Sequence, residues 1–301
     1  SVETIAAPAH VPDVMRRAIS LMRMGRPGPV MVEIPADLAV EDVPDAAIEA
    51  YRPVRSTAAG ANAREVEVAS CTLRAARRPV IHAGQGVLYA QAWDDLIELA
   101  ELIEAPVMVT LEGKSAFPED HPLALGAGGV ALTGPVYQYL REAGVVLCIG
   151  CSLTRHPMAT GIPAGKTLIH ATNDERDLNK SYAADYPLLG DARLVLRQFI
   201  EAGKSQGGRP RGREAVRAEV ERVRAAWLGE WAPVLGSSEV PMSPYRVIAE
   251  FMRAVDPREA IVTHDSGSPR DQLLPFYRAV GPRSYLGWGK SHALGTGLGL
   301  V

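Results

Sequence analysis

The sequence predicts an α/β fold: a parallel sheet covered by helices on both faces, in three layers. Three observations carry this. Apolar runs recur at Pro79 to Gly84, Pro106 to Thr110, Val145 to Gly150 and Thr167 to Ala171, with little polar alternation. Segments of helical period separate most of them, and glycine closes two of the runs. Short, almost wholly apolar strands are those buried on both faces, which happens when helices flank a parallel sheet.

Along the chain, Val14, Met15, Ala18, Leu21 and Met22 share one helical face in 12–24, and Gly25 ends that helix. Val30 to Ile34 reads as a strand closed by Pro35, and 41–60, with Pro44, Pro53 and Gly60, as a linker. A helix over 64–77 leads into the strand ending at Gly84. The next helix carries Trp93, Leu96, Ile97, Ala100 and Ile103 on one face. After the strand at 106–110 come a long loop, a short helix near 134–143, the strands at 145–150 and 167–171, and a helix from Asp191 to Ala202. Residues 203–215 are rich in Gly and Arg and read as mobile. A charged helix follows at 214–231, then a linker through Pro241 and Pro244. A helix at 243–254 and a strand at 260–263 open another α/β segment.

Composition excludes several classes. The 301 residues are 47% hydrophobic and 22% charged, as in ordinary globular chains. A net charge of -3 argues against nucleic-acid partners. No apolar run approaches the roughly 18 residues that span a bilayer, so no membrane partner is expected. Three cysteines close no disulfide framework, which makes the reducing cytoplasm the expected compartment.

Candidate chemistry sits mostly at strand ends. Gly84 and Gly86 follow a strand and precede a helix, where backbone N–H groups can face an anion. Tyr89 stands where a dinucleotide fingerprint has its third glycine, so a plain strand–helix turn is an equal reading. Asp174 follows the fourth strand as a ribose acceptor or a helix cap. Cys148 and Cys151 form a C-x-x-C with no second pair and read as buried structural cysteines. His264 and Asp265 end a strand ahead of Ser266-Gly267-Ser268, the most suggestive position in the chain, although a polar turn capped by Asp265 accounts for the same pattern. Lys114 and Arg155, in long loops after strands, read as solvated loop charges or as contacts for an anionic substrate or phosphate.

The ordered set of motifs resembles the thiamine diphosphate enzymes of the acetolactate synthase group. Gly25-Arg26-Pro27-Gly28-Pro29-Val30-Met31-Val32-Glu33-Ile34-Pro35-Ala36-Asp37 looks like the end of their pyrimidine-binding domain. Arg78 to Val87, Ala105-Pro106-Val107, Phe117-Pro118-Glu119-Asp120-His121-Pro122 and Gly190-Asp191-Ala192 resemble their central domain, and Ile261 to Val301 the start of their diphosphate-binding domain. The resemblance covers nearly the whole chain, in order. It implies the C-terminal part of a pyrimidine domain at 1–44, a linker at 45–62, a Rossmann-like central domain at 63–202, a linker with a charged helix at 203–240, and the N-terminal part of a diphosphate-binding domain at 241–301.

The resemblance further implies decarboxylation or carboligation of a small 2-keto acid, with thiamine diphosphate and Mg2+ as cofactors and a dimer or tetramer as the assembly. Gly267 matches the glycine opening the diphosphate loop. Ser268, Pro269 and Arg270 replace the usual Gln-His-Gln, a departure from the family's usual side-chain contacts, although Ser268 and Arg270 could still touch phosphate. Leu294 matches the bulky prop of the bent cofactor and Gly295 the close approach beside its aminopyrimidine. His292 replaces a small residue of the synthases and is on that account a candidate substrate contact. The activating glutamate and the metal motif of the family are expected before Ser1 and after Val301, so no catalytic or metal residue is assigned within the chain, which alone is expected to be inactive. FAD is the central-domain ligand of the synthases. Asp174 and Asp191 fit that pattern, whereas Ser152 in place of an arginine and Thr172 in place of an aspartate count against FAD. An alternative function is a central module that binds FAD or ADP through Gly84, Gly86, Asp174 and Asp191 without catalysis.

Overall fold

The computed structural model describes residues 1–207, 210, 212–287 and 294–299. Two compact units divide the chain, Ser1–Ala59 and Gly60–Val301.

In the first unit, β1 (Val2–Thr4), α1 (Val11–Arg23) and β2 (Met31–Glu33) form a β-α-β unit whose strands pair in parallel, Val2 opposite Met31. A short helix, α2 (Asp45–Ala50), follows. Of the helical stripe read from the sequence, α1 buries Val14 and Ala18 and leaves Met15, Leu21 and Met22 substantially exposed.

The second unit opens with α3 (Ala63–Ala75), whose cap Asn62 accepts from the N–H groups of Arg64 and Glu65. Then come β3 (Pro79–Ala83), α4 (Gln85–Tyr89), α5 (Trp93–Ile103), β4 (Val107–Val109), β5 (Ala124–Ala127), α6 (Gly134–Glu142), β6 (Val145–Ile149), β7 (Thr167–Thr172), β8 (Tyr186–Leu189) and α7 (Ala192–Ser205). The six strands form one parallel sheet in the order β5-β4-β3-β6-β7-β8. The chain thus winds outward from β3 to one edge, then returns to β6 and winds to the other, the doubly wound arrangement. The four runs read as strands are four of these six. The edge strands β5 and β8 carry no such apolar run in the sequence.

Alternation along the strands builds two apolar layers. Ile81, Ala83, Leu147, Ile149, Ile169 and Ala171 face one way, into a core with Val66, Leu73, Leu96, Leu99, Val195 and Phe199 of α3, α5 and α7. Val80, Val146, Cys148 and Leu168 face the other, against Val136, Tyr139 and Leu140 of α6 and Val220 and Val223 of α8 (Val216–Leu235). The charged helix read as part of a connector is therefore one wall of the second layer.

After α8 come α9 (Pro244–Ala254), β9 (Val262–Thr263), α10 (Ser268–Leu273), β10 (Tyr285–Leu286) and α11 (Thr296–Gly299), with β9 and β10 paired in parallel. Trp227 of α8 stacks on Phe276 with centroids 5.3 Å apart and planes 8° from parallel.

Candidate functional site

The structure brings together two segments read separately from the sequence. The Asp265 carboxylate accepts at Oδ2 from the Gly295 N–H (2.9 Å) and at Oδ1 from the Ser266 N–H (3.2 Å). Two residues earlier, Thr263 Oγ1 donates to the Gly297 carbonyl at 2.6 Å. A Cβ on Gly297 would meet the Asp265 nitrogen at 2.9 Å, so only glycine admits this approach. The turn after β9 and the glycine-rich segment at 294–297 thus form one backbone surface. Gly267 (φ 89°) and Gly295 (φ 82°) both sit in the left-handed region that glycine favours. Leu294 stands 80% exposed on this surface.

His264 lies under the surface. Its Nδ1–H donates to the Asp265 carbonyl at 2.9 Å, and burial holds its pKa below the usual histidine value. Of the other expected contacts, Ser268 is exposed at the start of α10, while Arg270 is buried and its guanidinium donates to the Asp271 carboxylate at 2.8 Å. His292 lies outside the described residues.

The expected nucleotide residues are used within the chain. The Gly86 N–H donates to the Gly150 carbonyl at 2.8 Å, and a Cβ on Gly84 would sit 2.4 Å from that oxygen. These glycines let the loops after β3 and β6 touch at the point where the strand order reverses. Asp174 accepts from the Arg176 backbone N–H and guanidinium. Asp191 caps α7 by accepting from the N–H groups of Arg193 and Leu194.

Lys114 is not the solvated charge its loop suggested. Its ammonium is buried and donates to both Glu119 oxygens, at 2.7 and 2.6 Å, with the Tyr285 ring 5.3 Å from Nζ. Glu119 also accepts from the Ala279 N–H at 2.8 Å, so the pair ties the loop after β4 to the segment before β10. Burial lowers the Lys114 pKa against the opposing attraction of Glu119. The other loop cation, Arg155, is exposed and lies over the Tyr182 ring at 4.9 Å.

Residues 66–199 match the family model described as "Thiamine pyrophosphate enzyme, central domain". Over these residues the chain is similar to the central domain of the thiamine pyrophosphate enzymes. The curated proteins it is similar to include acetolactate synthases. It is 29% identical over 96% of its length to a probable acetolactate synthase large subunit of Methanococcus aeolicus, covering 50% of that protein. It is 30% identical over 97% of its length to the acetolactate synthase large subunit of Corynebacterium glutamicum, covering 46% of it. The fold is also that of benzoylformate decarboxylase from Polynucleobacter necessarius, with a TM-score of 0.72 at 21% identity over 95% of this chain and 51% of that one. The chain spans about half the length of the curated relatives it matches.

Among the described residues, no helix is long and apolar enough to cross a membrane. One group of three has the donor set and spacing for a metal, His82, Cys148 and Cys151. Thiolate and imidazole are not the hard oxygen donors Mg2+ takes.

Proposed function

We propose that this chain is part of a thiamine diphosphate-dependent enzyme that decarboxylates or carboligates a small 2-keto acid in the manner of acetolactate synthase. The observation that carries it is the Asp265–Gly295 hydrogen bond. It holds a glycine-opened strand end beside an exposed leucine, in a chain whose middle is a thiamine pyrophosphate enzyme central domain.

The described residues fit one side of such a cofactor. A flexible two-ring cofactor needs an apolar support with backbone close on either side, and Leu294 between the Asp265 turn and Gly295 supplies both. When bound, the cofactor supplies the electron sink for loss of CO2. This chain's residues bind and orient. Gly267 and Ser268 would face the diphosphate end, Leu294 would support the rings, and the Gly295 backbone would border the aminopyrimidine. Arg270 contributes by fixing Asp271 and with it the start of α10. The described residues offer no carboxylate cluster for Mg2+, so no step is assigned to it here. Assembly as a dimer or tetramer, with active sites shared between copies, belongs to the same proposal.

The test uses the natural full-length protein with thiamine diphosphate and Mg2+ added. Cofactor-dependent consumption of pyruvate or another small 2-keto acid is expected, and Leu294→Ala should lower it by at least about ten-fold, roughly 1.4 kcal/mol, without moving the thermal midpoint. Full-length protein that neither binds thiamine diphosphate nor consumes any 2-keto acid overturns the proposal.

A further inference from the structure

The C-x-x-C of this chain has a third partner that its sequence does not reveal. His82 of β3 is in register with Cys148 of β6, and Cys148 with His170 of β7. In-register residues of a parallel sheet project from the same face, so these three form a row on the layer that faces α6 and α8. Gly150 (φ 63°) and Leu153 (φ 43°) turn the chain after β6, and Cys151 lies between them. Gly84 makes room for the turn, since a Cβ there would fall 2.5 Å from the Cys151 Cβ. The ligand atoms of His82, Cys148 and Cys151 all lie within 4.8 Å of one another. All three residues are buried, and both cysteines are free thiols.

His82 is the anomaly. It is 3% exposed, and neither ring nitrogen has a hydrogen-bond partner. Buried polar atoms are nearly always satisfied, and each one left unmet costs about 1–3 kcal/mol. His170, by contrast, spends its Nε2 on the Cys151 carbonyl at 2.9 Å, which fixes the turn carrying the second thiol. A row built with an unmet imidazole facing two thiols is better explained by a ligand than by packing.

We propose that His82, Cys148 and Cys151 bind one Zn2+ ion. One imidazole nitrogen and two sulfurs make a borderline-to-soft donor set, which selects zinc or copper(I) over Mg2+ or Ca2+. Charge decides between the first two. Two thiolates neutralise Zn2+ completely, whereas with Cu+ they leave a net negative charge in an apolar layer, which is costly. Binding balances as Zn2+ plus two Cys–SH giving Zn(S–Cys)2 and two protons, with the neutral imidazole donating its lone pair. Three protein ligands leave the fourth zinc position to a non-protein donor. The ion would tie β3 and β6 to the turn above them, at the point where the sheet order reverses. This site is independent of the thiamine diphosphate reading.

The test uses the full chain, purified under reductant and stripped of metal, with Co2+ and Zn2+ as probes. Co2+ is expected to give a thiolate-to-cobalt charge-transfer absorption that saturates at one ion per chain, survives Cys71→Ser, and is abolished by one equivalent of Zn2+. His82→Asn should weaken Zn2+ binding, measured by competition with a chromophoric chelator, by more than about ten-fold. Should the variants fail to fold, the wild-type chain still decides, because bound Zn2+ must raise its thermal midpoint. Absence of the cobalt band in the wild-type chain overturns the proposal. So does a band unchanged in the Cys148→Ser/Cys151→Ser double variant.

Discussion

Lys114 and Glu119 show what a single residue hides in a sequence. Lys114 follows a strand, in a loop with Glu112 and Gly113, and looks like any solvated loop charge. Its burial depends on Glu119 five residues later and on the backbone of Ala279, 160 residues from Glu119. Contact over that distance leaves no local pattern to read. Isolating a buried charge by removing its partner costs about 3–5 kcal/mol, far more than an exposed pair is worth. Glu119→Ala is therefore expected to lower stability by about 3 kcal/mol or more, read as a fall in the urea midpoint. Lys114→Met/Glu119→Gln should recover most of the loss, because it removes the charge and leaves an amide oxygen for the Ala279 N–H. A double variant no more stable than Glu119→Ala would mean that packing, not charge, sets the cost. His82 is the opposite case. The C-x-x-C was legible, but its third donor lies 69 residues before Cys151 and becomes visible only in the strand register.

At the scale of elements, periodicity located what it could. The long apolar strands and amphipathic helices of the central sheet stand close to where the sequence puts them. The edge strands β5 and β8 did not register, because Ala124-Leu125-Gly126-Ala127 and Tyr186-Pro187-Leu188-Leu189 are short and carry the Gly and Pro that weaken a strand signal. Within the Gly- and Arg-rich stretch at 203–215, one residue departs from the mobile reading. Arg213 within it is buried, and its guanidinium donates to the carbonyls of Ile103 (2.5 Å), Arg74 (2.8 Å), Ala76 (2.6 Å) and Leu73 (3.1 Å). These carbonyls belong to the C-terminal ends of α3 and α5 and the residue just past α3. Helix C-termini leave carbonyls unpaired and carry partial negative charge, so one cation here serves two helices at once. Burial, with Arg74 nearby, lowers the Arg213 pKa to about 10, still charged at neutral pH. Lysine has the charge but not the planar fork that reaches several carbonyls. Arg213→Lys is expected to cost about 2 kcal/mol, measured by urea unfolding, with the leftover carbonyls as the main loss. A variant as stable as the parent would mean that water replaces the fork at no cost.

The whole chain is two units of unequal means. The second holds both apolar layers of a six-stranded sheet and the helices that cover them. The first has a two-stranded sheet, and its buried side chains are few: Ile5, Pro12, Val14 and Ala18. Two strands and one amphipathic helix bury too little apolar surface to offset the entropy of ordering some sixty residues. A single strand–helix alternation at 1–59 is the sequence signal of this asymmetry, since it cannot enclose a core. Autonomy should follow burial. Residues 60–301 expressed alone are expected to unfold cooperatively, with a thermal midpoint within a few degrees of the full chain's. Residues 1–59 alone should give the circular dichroism of an unfolded chain. The reverse result, a 60–301 chain that loses its cooperative transition, would mean that residues 1–59 contribute to the stability of the second unit. Circular dichroism melts of the two pieces and their equimolar mixture distinguish these outcomes, because only in the second would mixing restore the transition.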